Sequence, residues 1–235
     1  MRLEVDENIY LKEDRSQRVK KCFTDLADLL RDRDQQKTHF LDVGCATGEL
    51  MRYVQDEFPD FMMNGCDVSQ KMIQSGSDLV PSANFYVGSV SNENGMTQEK
   101  YDVVTCFGVI TIFDDLKIPL RNLLSAVRDG GRLIIFGNFN LEPIDLRAQV
   151  RRSDGESDNW LQGYNCWSQL TLEKLLNESG RVRSLKWRKF VMDENIPKTS
   201  DPLRAWTFET AECKFQQRRG SGQLINQYFL DIQCT

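Results

Sequence analysis

Asp42, Glu49 and Asp67, with the two glycines between them, are the groups in this chain best placed to do chemistry. The run Leu41-Asp-Val-Gly-Cys-Ala-Thr-Gly-Glu-Leu50 joins a short apolar stretch to an amphipathic one, and Asp67 ends a second apolar stretch, Phe61–Cys66. Gly44 and Gly48 carry no Cβ, so a ligand can lie against bare main chain with its N–H groups exposed. A phosphate loop would need GxxxxGK[ST], but Glu49 follows Gly48 and no lysine is there. A dinucleotide turn would need GxGxxG, whereas Gly44 and Gly48 stand with Ala46 between them. Carboxylates flanking the turn, Asp42 and Glu49, repel a pyrophosphate and attract a cation. Asp67 can accept hydrogen bonds from ribose hydroxyls at a strand end, or, like Ser69, cap the helix that follows.

These residues meet only if strands and helices bring them together. Apolar spacing predicts a helix over 15–33, a strand at 39–43, a helix over 48–57 and a strand over 61–66. A helix over 69–76, strands at 84–88 and 101–106, a helix over 117–128 and a strand over 132–138 complete the alternation. Asp129-Gly130-Gly131 reads as the turn between the last two. A helix over 169–179 with Ser168 or Thr171 as its cap precedes two long strands, 181–192 and 224–233, expected as an antiparallel pair at the sheet edge. The fold class is therefore α/β: a Rossmann-like, mostly parallel sheet with helices on both faces. One domain is expected over 1–235, with a helical segment 1–37 and insertions at 139–167 and 193–223 on the substrate side.

Net charge is −5, with the acidic excess in residues 1–117 and a mild basic excess in 118–235. An acidic first half argues against nucleic acid as a partner there, and the basic half could face an anionic acceptor. No apolar run approaches the ~18 residues of a membrane span, and the first residues do not read as a secretory signal, so a cytoplasmic protein is expected. Seven cysteines without a CxxC pair read as buried apolar groups, and no metal site is expected. His39, the only histidine, precedes the first strand, at the wrong end of a parallel sheet for catalysis.

Leu41–Leu50 resembles the first motif of the class I S-adenosylmethionine-dependent methyltransferases, with Ala46 at the middle glycine. The resemblance runs from about residue 38 to 192 and takes in the final strand. It implies a seven-stranded sheet whose last strand is antiparallel, S-adenosyl-L-methionine as cofactor and S-adenosyl-L-homocysteine as product. A sulfonium and an ammonium suit the acidic turn. Cofactor contacts fall on Asp42, Gly44, Cys45, Ala46, Gly48, Asp67 and Val68, then on Ser89 and Val90 after the third strand, and on Cys106 and Phe107. Ser89 departs from the family, which commonly has an acidic residue there to bind the adenine amino group. The activity implied is in-line methyl transfer to a small-molecule acceptor, such as an anionic metabolite or nucleotide-linked sugar. A protein or RNA methyltransferase and a non-catalytic cofactor-binding module are the alternatives.

On the acceptor side, the carboxyl ends of the later strands offer Thr111, Asp114 and Asp115, then Asn138, Asn140, Glu142 and Asp145. Asn140 and Glu142 are the catalytic candidates; Asn138, Trp160, Tyr164, Arg147 and Arg204 are the substrate candidates. The fourth strand lacks [DNS]-P-P-[YF], so planar amides and adenine amines drop out as acceptors. The acceptor, its accepting atom, any general base and the oligomeric state are not legible.

Overall fold

The computed structural model describes residues 10–11, 19–31, 37–154 and 159–235. Of the helix predicted over 15–33, α1 (Lys21–Leu30) is described, and residues 15–18 and 32–33 lie outside the described residues. Alternating elements follow: β1 (His39–Val43), α2 (Glu49–Glu57), β2 (Met62–Asp67), α3 (Gln70–Leu79), β3 (Asn84–Val87) and β4 (Tyr101–Phe107). A 3-10 turn (Ile110–Ile112), α4 (Lys117–Ser125) and β5 (Val127–Asn140) come next. Short strands β6 (Gln149–Val150), β7 (Leu161–Gln162) and β8 (Trp167–Ser168) lead into α5 (Gln169–Glu178) and β9 (Val182–Lys189). The chain then forms β10 (Trp206–Phe208), β11 (Gln216–Arg218), β12 (Leu224–Ile225) and β13 (Gln227–Cys234).

The main sheet has the order β3-β2-β1-β4-β5-β13-β9, and β8 pairs alongside β5 as an eighth strand. β13 is antiparallel to both of its neighbours. The expected antiparallel pair therefore forms, but β9 alone takes the edge and β13 lies inside, between β5 and β9. Alternation along the strands explains the layering. Phe40, Val103, Ile134 and Phe136 face α1, α2 and α3, while Leu41, Val104, Leu133 and Ile135 face α4 and α5.

Two boundaries differ from the sequence reading. α4 ends at Ser125, and Val127 already pairs with Tyr101; the register then jumps so that Arg132 pairs beside Val103. Asp129-Gly130-Gly131 is thus a loop-out within β5 rather than a helix-to-strand turn. The 193–223 segment holds β10 and β11, which form a small three-stranded sheet with β12. Among the described residues no helix is long and apolar enough to cross a membrane.

Arg132 ties these layers together. Its Nε and Nη2 each meet an Asp231 carboxylate oxygen on β13 at 2.6 Å, and Nη1 donates to the Leu29 carbonyl near the end of α1 at 2.6 Å. A two-point guanidinium–carboxylate pair is a strong, directional contact.

Candidate active site

The turn after β1 is held by backbone bonds to β2: the N–H groups of Gly44 and Cys45 donate to the Cys66 carbonyl at 2.8 and 3.0 Å. Gly44, Ala46 and Gly48 all take left-handed φ values, +75°, +48° and +80°. Only glycine adopts that region without strain, so Ala46 needs an external hold. Asp67 supplies it: the Ala46 N–H donates to Oδ2 at 3.1 Å, and the Ser69 N–H donates to Oδ1 at 3.0 Å. A carboxylate has about four acceptor positions, more than these two N–H groups occupy. Capping α3 falls to Ser69, whose side chain accepts from the Met72 N–H.

A cavity of about 520 Å³ opens at the carboxyl ends of β1, β2, β4 and β5. Gly44 and Ala46 form one wall with Asp67 and Val68. Gly88, Ser89 and Val90 follow from the loop after β3, and Phe107 with Phe136 line the side of β4 and β5, their rings 5.2 Å apart. Asn138, Tyr164 and Arg204 stand on the remaining side. His39, by contrast, opens β1 at its other end, its N–H bound to Asp102.

The electrostatics differ from the sequence reading in one respect. Asp42 lies beneath the turn, off the cavity, buried and bonded to the Thr105 hydroxyl at 2.7 Å. Burial pushes its carboxyl up to about 7 despite that bond, and Asp67 nearby adds to the rise. Glu49 is paired with Lys20 at 3.4 Å. The negative charge facing this part of the cavity is therefore that of Asp67.

A family model described as a methyltransferase domain matches residues 41–133. The chain is similar to malonyl-[acyl-carrier protein] O-methyltransferases of Acetivibrio thermocellus, 26% identical over 57% of this chain and 48% of that protein, and of Ilyobacter polytropus, 28% identical over 59% and 52%. It thus spans about half the length of these curated relatives. An S-adenosylmethionine-dependent methyltransferase structure from Clostridium acetobutylicum matches 98% of both chains at 16% identity with a TM-score of 0.57, a likeness of fold. The glycine turn, the strand order and these matches agree. Together they support the class I S-adenosylmethionine-dependent methyltransferase family.

The cofactor of that family fits the residues present. Asp67 offers acceptors for a ribose, Val68 is 45% exposed and lines the cavity as an apolar platform, and Gly44 leaves the main chain open. The Ser89 hydroxyl lies 2.8 Å from that of Ser91 and accepts from the Ser91 N–H. Four predicted cofactor residues do not line the cavity. These are Asp42; Cys45 and Cys106, whose thiols are buried and pushed upward by that burial; and Gly48. Gly48 begins α2 and sits where a Cβ would lie 3.3 Å from Gly76 and 3.2 Å from Phe85. Gly44 does line the cavity, yet a Cβ there would run into Val109, so its bareness serves internal packing as well.

On the acceptor side, Asn138, Tyr164 and Arg204 line the cavity, and Asn140, Glu142, Arg147 and Trp160 do not. Asn140 is spent on its own turn, donating to the Ile144 carbonyl and accepting from the Glu142 N–H. Glu142 and Arg147 are exposed, and Trp160, 62% exposed, carries the Arg151 guanidinium 5.2 Å above its ring. Asp145 accepts from the Ser168 N–H and the Thr171 hydroxyl, and Asp115 from the Lys117 N–H. Asp114 instead accepts from Asn165 and Gln162 of the 139–167 segment.

Two residues that sequence reasoning missed position this wall. Asn165 is fully buried: Oδ1 accepts from the Ala148 N–H at 2.9 Å, and Nδ2 donates to the Phe113 carbonyl and to Asp114 at 2.8 and 2.9 Å. Its own N–H reaches the Thr111 carbonyl at 2.7 Å, so it pins the 139–167 segment to the loop after β4. Arg219, which also lines the cavity, comes from the 193–223 segment. Gly220 beside it, where a Cβ would strike the Pro202 carbonyl, was the one available signal.

Proposed function

We propose that this chain transfers a methyl group from S-adenosylmethionine to a small anionic acceptor, for which a carboxylate suits the cavity best. The observation that carries this reading is Asn138. It is 4% exposed and lines the cavity; its Oδ1 accepts from the Asn226 N–H at 2.7 Å, while its Nδ2 meets no partner among the described residues. A buried donor without a partner costs about 1–3 kcal/mol, a cost a ligand oxygen would remove.

Strand order separates the two ends of the site. Asp67 ends β2 and Asn138 lies on β5, with β1 and β4 between them, roughly 14 Å at the usual strand spacing. Asp67 and Val68 hold the nucleoside end, and Asn138 addresses the acceptor. The cofactor supplies an already activated methyl group, so alignment and exclusion of water are the protein's main tasks. The two carboxylates among the described lining residues are engaged: Asp67 with two backbone N–H groups, and Asp201 with the Leu203 N–H. Histidine, lysine and cysteine are absent from the described lining. A hydroxyl or ammonium acceptor would need a proton removed, whereas a carboxylate is already an anion at neutral pH. The O-methyltransferase names of the curated relatives support the same preference.

Calorimetric titration tests the cofactor half. Wild type should bind S-adenosylmethionine, and Asp67→Ala should weaken it about tenfold or more, from the loss of charge-assisted bonds. Equal affinity in the two proteins would remove Asp67 from the site.

A further inference from the structure

We propose that Arg219 is the residue that reads the acceptor's carboxylate, an inference that rests on the methyl-transfer reading above. Arg219 lies just beyond β11, far along the chain from the cofactor motifs, yet it reaches the same cavity as Asn138 and Tyr164. Its guanidinium carbon stands 3.7 Å from the centre of the Tyr164 ring, close enough to be a face-on stack. Stacking on Tyr164 and a 3.5 Å bond from Nη1 to the Gln223 side chain fix the plane of the guanidinium at the cavity wall, the geometry in which it pairs with a planar anion. The backbone beneath it is set on both sides: the Arg219 N–H donates to the Gln223 carbonyl at 3.1 Å, and the Gly220 N–H donates to the Pro202 carbonyl at 2.9 Å. The platform is set too, because Tyr164 immediately precedes the fully bonded Asn165. Arg204 adds a second positive charge to the same wall, its Nε 3.9 Å from Asp201.

The chemistry closes without a base. A lone pair on one carboxylate oxygen forms the O–CH3 bond as the S–CH3 bond breaks, and that bond's electrons stay on sulfur. The sulfonium becomes a neutral thioether, the carboxylate becomes a neutral ester, and no proton is released. Arg219 draws the acid in by charge, and the uncharged ester loses that hold.

The test uses wild type and Arg219→Gln loaded with S-adenosylhomocysteine, so that no turnover occurs. The probes are the N-acetylcysteamine thioester of malonic acid and the methyl ester of that same compound, titrated by calorimetry. Wild type should bind the acid about ten- to hundredfold more tightly than the ester, the range for one charge-assisted contact. Arg219→Gln should bring the ratio near one while S-adenosylhomocysteine affinity stays within about twofold, and Arg219→Lys should recover part of the preference. Equal binding of acid and ester by wild type, including no detectable binding of either, overturns the proposal. So does a preference that survives Arg219→Gln, or displacement of the acid by inorganic phosphate at lower concentration than by acetate. If wild type fails to bind S-adenosylhomocysteine at all, the methyltransferase reading falls first and takes this one with it.

Discussion

Asp42 shows how one buried side chain can make this protein's stability depend on pH. With its carboxyl raised to about 7 by burial, it is neutral in the folded chain at pH values where the unfolded chain would ionise it. The contribution is fully favourable below about pH 4, shrinks as pH rises, and is lost once pH passes about 7. Asp42→Asn keeps an acceptor for Thr105 without the ionisation cost. Its stability relative to wild type should therefore rise between pH 5 and pH 8, by on the order of 1–3 kcal/mol. Thermal unfolding at the two pH values checks this, and an identical offset at both would mean that Asp42 is already ionised in the fold. The place of Asp67 on the cavity wall was legible from sequence, because it ends a strand beside the glycine turn. Asp42 was legible as a motif residue but not as a buried one, since its burial depends on β4 supplying Thr105 from beyond the motif. Arg219 was not legible, because its place is set by Tyr164 and Pro202, which are distant in sequence.

Elements were easier to read than the joins between them. Each parallel strand and its helix announced itself by apolar spacing, and β1 appears at its predicted bounds. The start of β5 was missed because Asp129-Gly130-Gly131 carries every local mark of a turn, while pairing of Val127 with Tyr101 is a tertiary event. The 139–167 segment shows the same limit. Its place is fixed by Asn165, whose amide looks like any loop asparagine in sequence. Asn165→Ala should cost about 2–3 kcal/mol, since it strands the Ala148 N–H and the Phe113 carbonyl together. Chemical denaturation would measure it. Cofactor affinity should change less than affinity for the acid probe, because the nucleoside end lies across the sheet. Equal losses at both ends would show that the 139–167 segment supports the whole cavity.

At the scale of the whole molecule, the Arg132–Asp231 pair joins β5, β13 and α1. Both side chains are largely buried, 11% and 18% exposed, so Asp231→Ala leaves a guanidinium short of its partner and should cost about 3 kcal/mol. Urea unfolding would read this directly, and a change under 1 kcal/mol would mean that the Leu29 carbonyl and solvent suffice for Arg132. The placement of β13 has a further consequence, for how the chain comes together. β9 is made before β13 and, among the described residues, borders no other strand of the sheet. Until β13 arrives, β5 has a bare flank and β9 has nowhere to dock. The last ladder to zip is thus a long-range one in the interior, which slows assembly and leaves an adhesive edge open to neighbouring chains meanwhile.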